Sequence, residues 1–460
     1  MSEVFQDFLI PTLTQIRHSI CGIDDSYNNF WDILAELIQN AVDAINRTDP
    51  AVQGKIYLHI DCIQKEISIR DNGCGIAPEK LVTFLRPFST DKLDDENQIG
   101  EKGVGLKFAY FQSTYFKIHT GNASGSAQAE IRDARLWKLQ TNQECLAVSY
   151  ERYSEPFCGT EIVLRGIENE QLFSLSISQM KHILRTKTAA GNTSVIWREI
   201  SPIKITLEMT DYNGNHTEED IQYKYSLPTN TLSVRDQISL DDFEEWLRGG
   251  DRTDLEKRTK LRDKVITAKG SYLHNGYREI RYWACFVPSR SIWDQLCIKE
   301  GLATDSLLSN EEWLNEKIFV LHRPGIYTAV KGMPTGITVE HPSAGYSGYW
   351  SNIFIIFEDD RLSFDIGRKS IHGLTANIYK GYAKEIFNRF LQYIVKYVSG
   401  SVEPYSAEWN KEGLIDEIKS LPDLGCSVVK FGKNPKDQEA SVAAIFYELI
   451  GAGYISDVEP

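Results

Sequence analysis

NQIGEKGVGLKFAYF, residues 97–111, sets glycines at 100, 103 and 105 ahead of residues that turn apolar at helical spacing. Glycine lets a backbone come close to another group, and the first amides of a helix favour an anion. Lys102 and Lys107 add positive charge, and FSTDK (88–92) supplies Thr90 and Lys92 just upstream. The segment is neither a Walker A loop, which ends in Gly-Lys-Ser/Thr, nor GxGxxG. Alone it reads as a mobile glycine loop or as a phosphate cradle.

Working backwards, Phe30–Ile45 carries apolar residues at 30, 33, 34, 37, 38, 41, 42 and 45, an amphipathic helical stripe. Opposite that stripe, Glu36, Asn40 and Asp43 fall at i, i+4 and i+7 and share a face. They read as a solvated helix face, or as a carboxylate that deprotonates water beside an amide oxygen for a hard cation. Between helix and loop lie two strand-like runs, KIYLHID (55–61) and EISIRD (66–71), the second leading into DNGCGI (71–76). Asp-Asn-Gly is a common turn. Here Gly73 and Gly75 also strip side chains from the space beside Asp71, room for a flat ring whose amine donates to the carboxylate. Downstream, GTEIVL (159–164) is simple strand entry, or places a Thr160 hydroxyl at the same ring edge.

In this order and at these intervals the four segments resemble the Bergerat fold of the GHKL superfamily: gyrase B, the large heat-shock chaperone, histidine kinases and MutL. ELIQNAVDA corresponds to the N-box, DNGCG to the first glycine box, GEKGVGLK to the second and GTEI to the third. The resemblance covers about residues 25–170. It implies an α+β protein, a Bergerat-type sandwich with helices on one face of a mixed sheet, that binds ATP and Mg²⁺. Glu36 would be the general base, Asn40 the Mg²⁺ ligand and Asp71 the adenine selector supported by Thr160. Asp43, Gly73, Gly75, Ile76, Thr90, Lys92, Gly100, Lys102, Gly103, Val104, Gly105, Leu106 and Lys107 would complete the nucleotide site under a lid of residues 86–102.

Three parts are expected: an ATP-binding domain with an N-terminal arm (1–170), a transducer-like α/β domain (171–400) and a helical extension (401–460). Strands are expected at 115–120, 134–140, 146–153 and 160–166, then near 203–209, 221–226, 279–287, 317–321 and 352–358. Helices are expected over 240–264 and 437–455. The basic excess of RTDLEKRTKLRDKVITAK (252–269) reads first as a solvated helix face and second as a nucleic-acid patch. The runs LRTKTAAGNT, KGMPTGI, GYW and FDIGRKS look like prokaryotic MORC- and chaperone-like ATPases, a group often encoded near antiviral defence genes. In such enzymes a basic residue of the transducer domain reaches the γ-phosphate. DIGRKS offers Lys369, the commoner type of sensor in the MutL and gyrase branches, and Arg368, whose guanidinium suits bidentate phosphate contact.

The rest of the chain narrows the classes. Its 460 residues and ordinary apolar content describe a globular protein, and its formal charge of −14 disfavours indiscriminate nucleic-acid binding, though a local basic surface can coexist with an acidic total. The N-terminus has no basic leader and no apolar run is long enough for a bilayer, so a cytoplasmic protein without a membrane partner is expected. Eight scattered cysteines read as free thiols, and no metal-ligand spacing, HExxH or GxSxG occurs. The resemblance implies an ATP-dependent homodimer that closes as a clamp on DNA or a partner effector protein. An ATP-gated non-catalytic scaffold is the alternative. A histidine kinase fits less well, since that branch usually has Lys where Asp43 stands and only His18 lies upstream.

Overall fold

A computed structural model describes residues 11–27, 29–87, 105–342, 347–362, 371 and 373–397. They fall into two compact units. One takes the chain up to Ser226 with Ala329–Ile337 and 360–362; the other takes Leu227–Thr328, Thr338–Asp359 and the chain from Gly373.

The first unit contains α1 (Leu13–Asp24), α2 (Asp32–Asn46), β1 (Lys55–Asp61), β2 (Glu66–Asp71), α3 (Leu81–Leu85), α4 (Gly105–Phe111), β3 (Tyr115–Asn122), β4 (Gly125–Arg132), α5 (Ala134–Trp137), β5 (Val148–Tyr153), β6 (Gly159–Arg165), α6 (Glu170–Phe173), α7 (Ile177–Lys187), β7 (Lys204–Thr210) and β8 (His216–Ile221). Its mixed sheet has the order β5-β4-β3-β6-β2-β1-β7-β8. Every pairing is antiparallel except that of β1 with β7.

Alternation builds one apolar face of this sheet. Ile56, Leu58 and Ile60 of β1 are buried, as are Ile67 and Ile69 of β2, Phe116 and Ile118 of β3, Ile162 and Leu164 of β6, and Ile205 and Leu207 of β7. Helix α2 buries its predicted stripe, Ile33, Leu34, Leu37, Ile38, Ala41, Val42 and Ile45. Its first residue, Asp32, accepts from the Asn29 amide at 2.9 Å, a favourable place for a negative charge. Capping boxes start α1 (Thr12, Gln15) and α7 (Ser176, Gln179). On its own unit, α1 is held by Arg17, whose guanidinium lies 4.5 Å from the Trp137 ring and donates to the Glu144 carbonyl at 2.9 Å, and by an Asp24–Lys138 ion pair.

The second unit holds β9 (Gln237–Ser239), α8 (Leu240–Arg248), α9 (Asp254–Leu261), β10 (Val265–His274), β11 (Arg278–Phe286), α10 (Arg290–Lys299), α11 (Asp305–Leu308), α12 (Glu311–Lys317), most of β12 (Gly325–Val330), β14 (Ile353–Glu358) and α13 (Gly373–Tyr397). With β13 (Met333–Val339) between β12 and β14 in the chain, the second sheet runs β13-β12-β14-β11-β10-β9. At the end of β14 the buried Asp359 accepts from Arg278 Nε at 2.8 Å and from the Tyr379 hydroxyl at 2.7 Å. No helix among the described residues is long and apolar enough to cross a membrane.

The structure corrects several local expectations. Residues 134–137 form a helical turn, not a strand: Ala134 and Trp137 are buried while Leu136 is exposed, a three-residue spacing. The strand expected at 221–226 lies at His216–Ile221, a polar edge strand with little apolar signal. Residues 318–320 form a 3-10 turn where a strand was expected. The 240–264 stretch is two helices, and Val265–Lys269 begins β10, whose hairpin with β11 overrides the charged helical pattern. The eight-stranded sheet takes in β7 and β8 and so continues past residue 170. The expected 401–460 extension, including helix 437–455, lies outside the described residues.

Candidate functional site

The polar row of the first sheet starts at the C-terminal end of β2. Register places Asp71 opposite Thr160 of β6, and Thr160 opposite Thr120 of β3. Opposed residues share a face, so the row caps the apolar rows Ile69–Ile162–Ile118 beneath it. Gly75 has φ +62°, and a β-carbon there would strike the Gly121 carbonyl, so only glycine lets the loop close over the sheet.

Above Asp71 is a cavity of about 70 Å³, walled by Leu37, Asn40, Asp43, Ile76, Leu106 and Thr160 among others. Asp71 is buried and accepts from the Gly73 amide at 2.8 Å. Burial pushes its carboxyl up to about 7, against the opposite pull of backbone hydrogen bonds from Gly73 and Thr160. A carboxylate so placed, at the end of an apolar slot, suits a flat ring with an exocyclic amine. Such a charge-assisted bond contributes roughly 1.5–3 kcal/mol.

Glu36 lies on α2, buried, one turn before Asn40 of the cavity wall. The Tyr27 hydroxyl donates to its Oε1 at 3.3 Å, while the Tyr27 ring stacks on Phe108 of α4 with centroids 3.9 Å apart. Gly105, first residue of α4, faces Glu36 so closely that a β-carbon would overlap Oε2. The glycine is therefore there to admit the carboxylate. Glu36 and Asn40 offer oxygens one turn apart, a donor set that fits Mg²⁺ shared with phosphate oxygens.

Asn40, Asp43, Asp71, Gly75, Ile76, Leu106 and Thr160 thus line one cavity; Gly73 joins it through its bond to Asp71, and Glu36 and Gly105 meet each other one helical turn before Asn40 and one residue before Leu106. Lys107 behaves differently: buried, with its ammonium 4.5 Å from the Phe84 ring, it contributes nothing to the wall of the Asp71 cavity and lines a smaller one beside α1. Thr90, Lys92, Gly100, Lys102, Gly103, Val104, Arg368 and Lys369 lie outside the described residues. Sequence reasoning missed Tyr27 and Thr120. The first stands just ahead of the N-box; the second had no signal beyond a polar residue on an otherwise apolar strand face.

Residues 27–154 match the family described as Histidine kinase-, DNA gyrase B-, and HSP90-like ATPase. Among curated proteins the chain is similar to Chaperone protein HtpG of Vesicomyosocius okutanii, with 28% identity over 308 residues, 61% of this chain and 44% of that protein. It is 29% identical over 187 residues to Endoplasmin homolog of Arabidopsis thaliana, covering 35% of this chain and 22% of that protein. HtpG of Helicobacter pylori strain J99 is 30% identical over 155 residues, 28% of this chain and 24% of that protein. The chain spans less than half the length of each of these relatives. An Asp-Asn-Gly aspartate and an N-box glutamate on a Bergerat-type sandwich agree with that family match and make residues 27–154 a GHKL-type ATPase segment.

Proposed function

We propose that the chain is a Mg²⁺-dependent ATPase whose output is a conformational switch. The observation that carries this is a pair of buried carboxylates, Asp71 in the cavity wall and Glu36 against Gly105, the residue before Leu106 of the same wall. Asp71 takes the amine of adenine, and Asn40 holds the cation. A bound Mg²⁺ supplies charge neutralisation for the phosphate oxygens. Glu36, aligned by Tyr27, accepts the proton of the attacking water, an effect typically worth about 10²–10⁴ in rate. A basic residue at 368 or 369 senses the γ-phosphate, so that ATP and ADP favour different arrangements of the chain.

Two copies pair on ATP and separate after hydrolysis, and the protein stays in the cytoplasm. The client is a partner protein, a reading supported by likeness to proteins named as chaperones. DNA is the second reading, supported by Lys257, Arg258, Lys260, Arg262 and Lys264 and by Trp246, whose ring lies 4.7 Å from Arg252 and 5.6 Å from Lys260. A setting in prokaryotic defence or maintenance rests on the resemblance of the second-region runs. Phosphate release from ATP tests the activity: the native protein turns over, and Glu36→Ala does not. Equal turnover by both refutes the mechanism. Stimulation by unfolded polypeptide, against double-stranded DNA, separates the two clients.

A further inference from the structure

One buried side chain at the Asp71 end is used by neither the motifs nor the mechanism above. Thr120 has no exposed surface and completes the Asp71–Thr160–Thr120 row across three strands. The Ile76 amide donates to its Oγ1 at 2.9 Å, and that oxygen lies 3.0 Å from the Gly159 carbonyl and 2.9 Å from Thr160 Oγ1. A threonine hydroxyl has one hydrogen and two lone pairs. The Gly159 carbonyl can only accept, so both contacts form together only when the Thr120 hydrogen goes to that carbonyl and Thr160 donates to Thr120. Ile76 occupies one Thr120 lone pair, and the other receives the hydrogen of Thr160. With that hydrogen turned inward, Thr160 presents only lone pairs to the cavity it lines with Asp71.

We propose that Thr120 is a positioning residue that makes this end of the cleft accept hydrogen bonds only, and so selects a purine with an exocyclic amine over one with a carbonyl in the same place. The inference rests on the nucleotide reading of the cleft. An amine brings two hydrogens to two acceptors, whereas a carbonyl oxygen would face lone pairs on both sides.

Calorimetric titration with ATP and with inosine triphosphate, which replaces the amine by a carbonyl, tests this at roughly pH 8.5, where Asp71 is ionised. The native protein prefers ATP. In Thr120→Val the Thr160 hydroxyl is free to turn and donate, and the preference falls about tenfold; Thr120→Ser keeps it at the native level. Should Thr120→Val fail to fold, Thr160→Val, which leaves the Thr120 bonds to Ile76 and Gly159 in place, gives the same fall. An unchanged preference in the valine variant, or an equal loss in Thr120→Ser, overturns the proposal and leaves the nucleotide reading standing. Native protein that binds neither nucleotide overturns that reading, and this inference with it.

Discussion

Asp71 and Glu36 are buried carboxylates of the same unit, yet they are held by different kinds of structure. Asp71 ends a central strand, fixed by ladders on both sides and by the Gly73 amide. Glu36 sits on a helix, and its carboxylate is placed by a tyrosine stacked on α4 and by the missing side chain of Gly105. The sheet end is pinned by register, so it suits recognition of a constant group. The helix end depends on how α4 and Tyr27 pack. On the proposed function, recognition would fall to the strand and chemistry to the helix.

That contrast breaks if changes at one end act like changes at the other. The largest effect is expected from Asp71→Asn, which should weaken ATP binding about 100-fold by calorimetry, with the fold retained by circular dichroism. Next, Gly105→Ala forces a methyl into the Glu36 carboxylate. Overpacking of this kind costs about 1–3 kcal/mol, and turnover should fall by at least about tenfold while ADP affinity stays close to native.

The pH dependence sharpens the contrast. The folded Asp71 carboxyl holds its proton to about pH 7, well above the ordinary carboxylate value, because burial disfavours the charge. The contribution of Asp71 to stability of the nucleotide-free protein is therefore fully present below the ordinary carboxylate value and is lost as pH rises through about 7, by on the order of 4 kcal/mol at most. Nucleotide affinity runs the opposite way, strengthening up to about tenfold per pH unit below that pKa and levelling above it. Thermal melts and titrations across pH should show both trends in the native protein, and Asp71→Asn should flatten them. The smallest effect belongs to Tyr27→Phe: the stacked ring stays and one hydrogen bond goes, so turnover drops about three- to tenfold with unchanged ATP affinity. A change in affinity instead would tie Tyr27 to the nucleotide rather than to Glu36.

The two ends were also unequally legible in the sequence. Glu36, Asn40 and Asp43 share a face through helical periodicity alone, and Asp71, Gly73 and Gly75 are local to one turn, so short-range pattern exposed them. Thr120 joins Asp71 only through the β2–β6–β3 register, and no spacing along the chain encodes a pairing between strands that far apart. Tyr27 reaches Glu36 through a stack on Phe108 that exists only once α4 has docked. The same distinction runs through the fold. The KIYLHID and EISIRD strands were read at their observed bounds because their alternation buries one face. Strands β8 and β10 differ from expectation for separate reasons: β8 buries only Ile221, and the buried start of β10, Val265, Ile266 and Ala268, follows directly on a charged helical pattern. Lys107 shows the converse, a motif residue whose charge suggested phosphate but whose ammonium lies against Phe84.

The most direct test is a crystal structure of the Glu36→Ala variant grown with ATP and Mg²⁺. Intact ATP is expected there, with the adenine amine about 2.7–3.2 Å from the Asp71 carboxylate, the metal on Asn40, and the γ-phosphate beside the position vacated by Glu36. A base bound away from Asp71, or a nucleotide already hydrolysed in that variant, would contradict it.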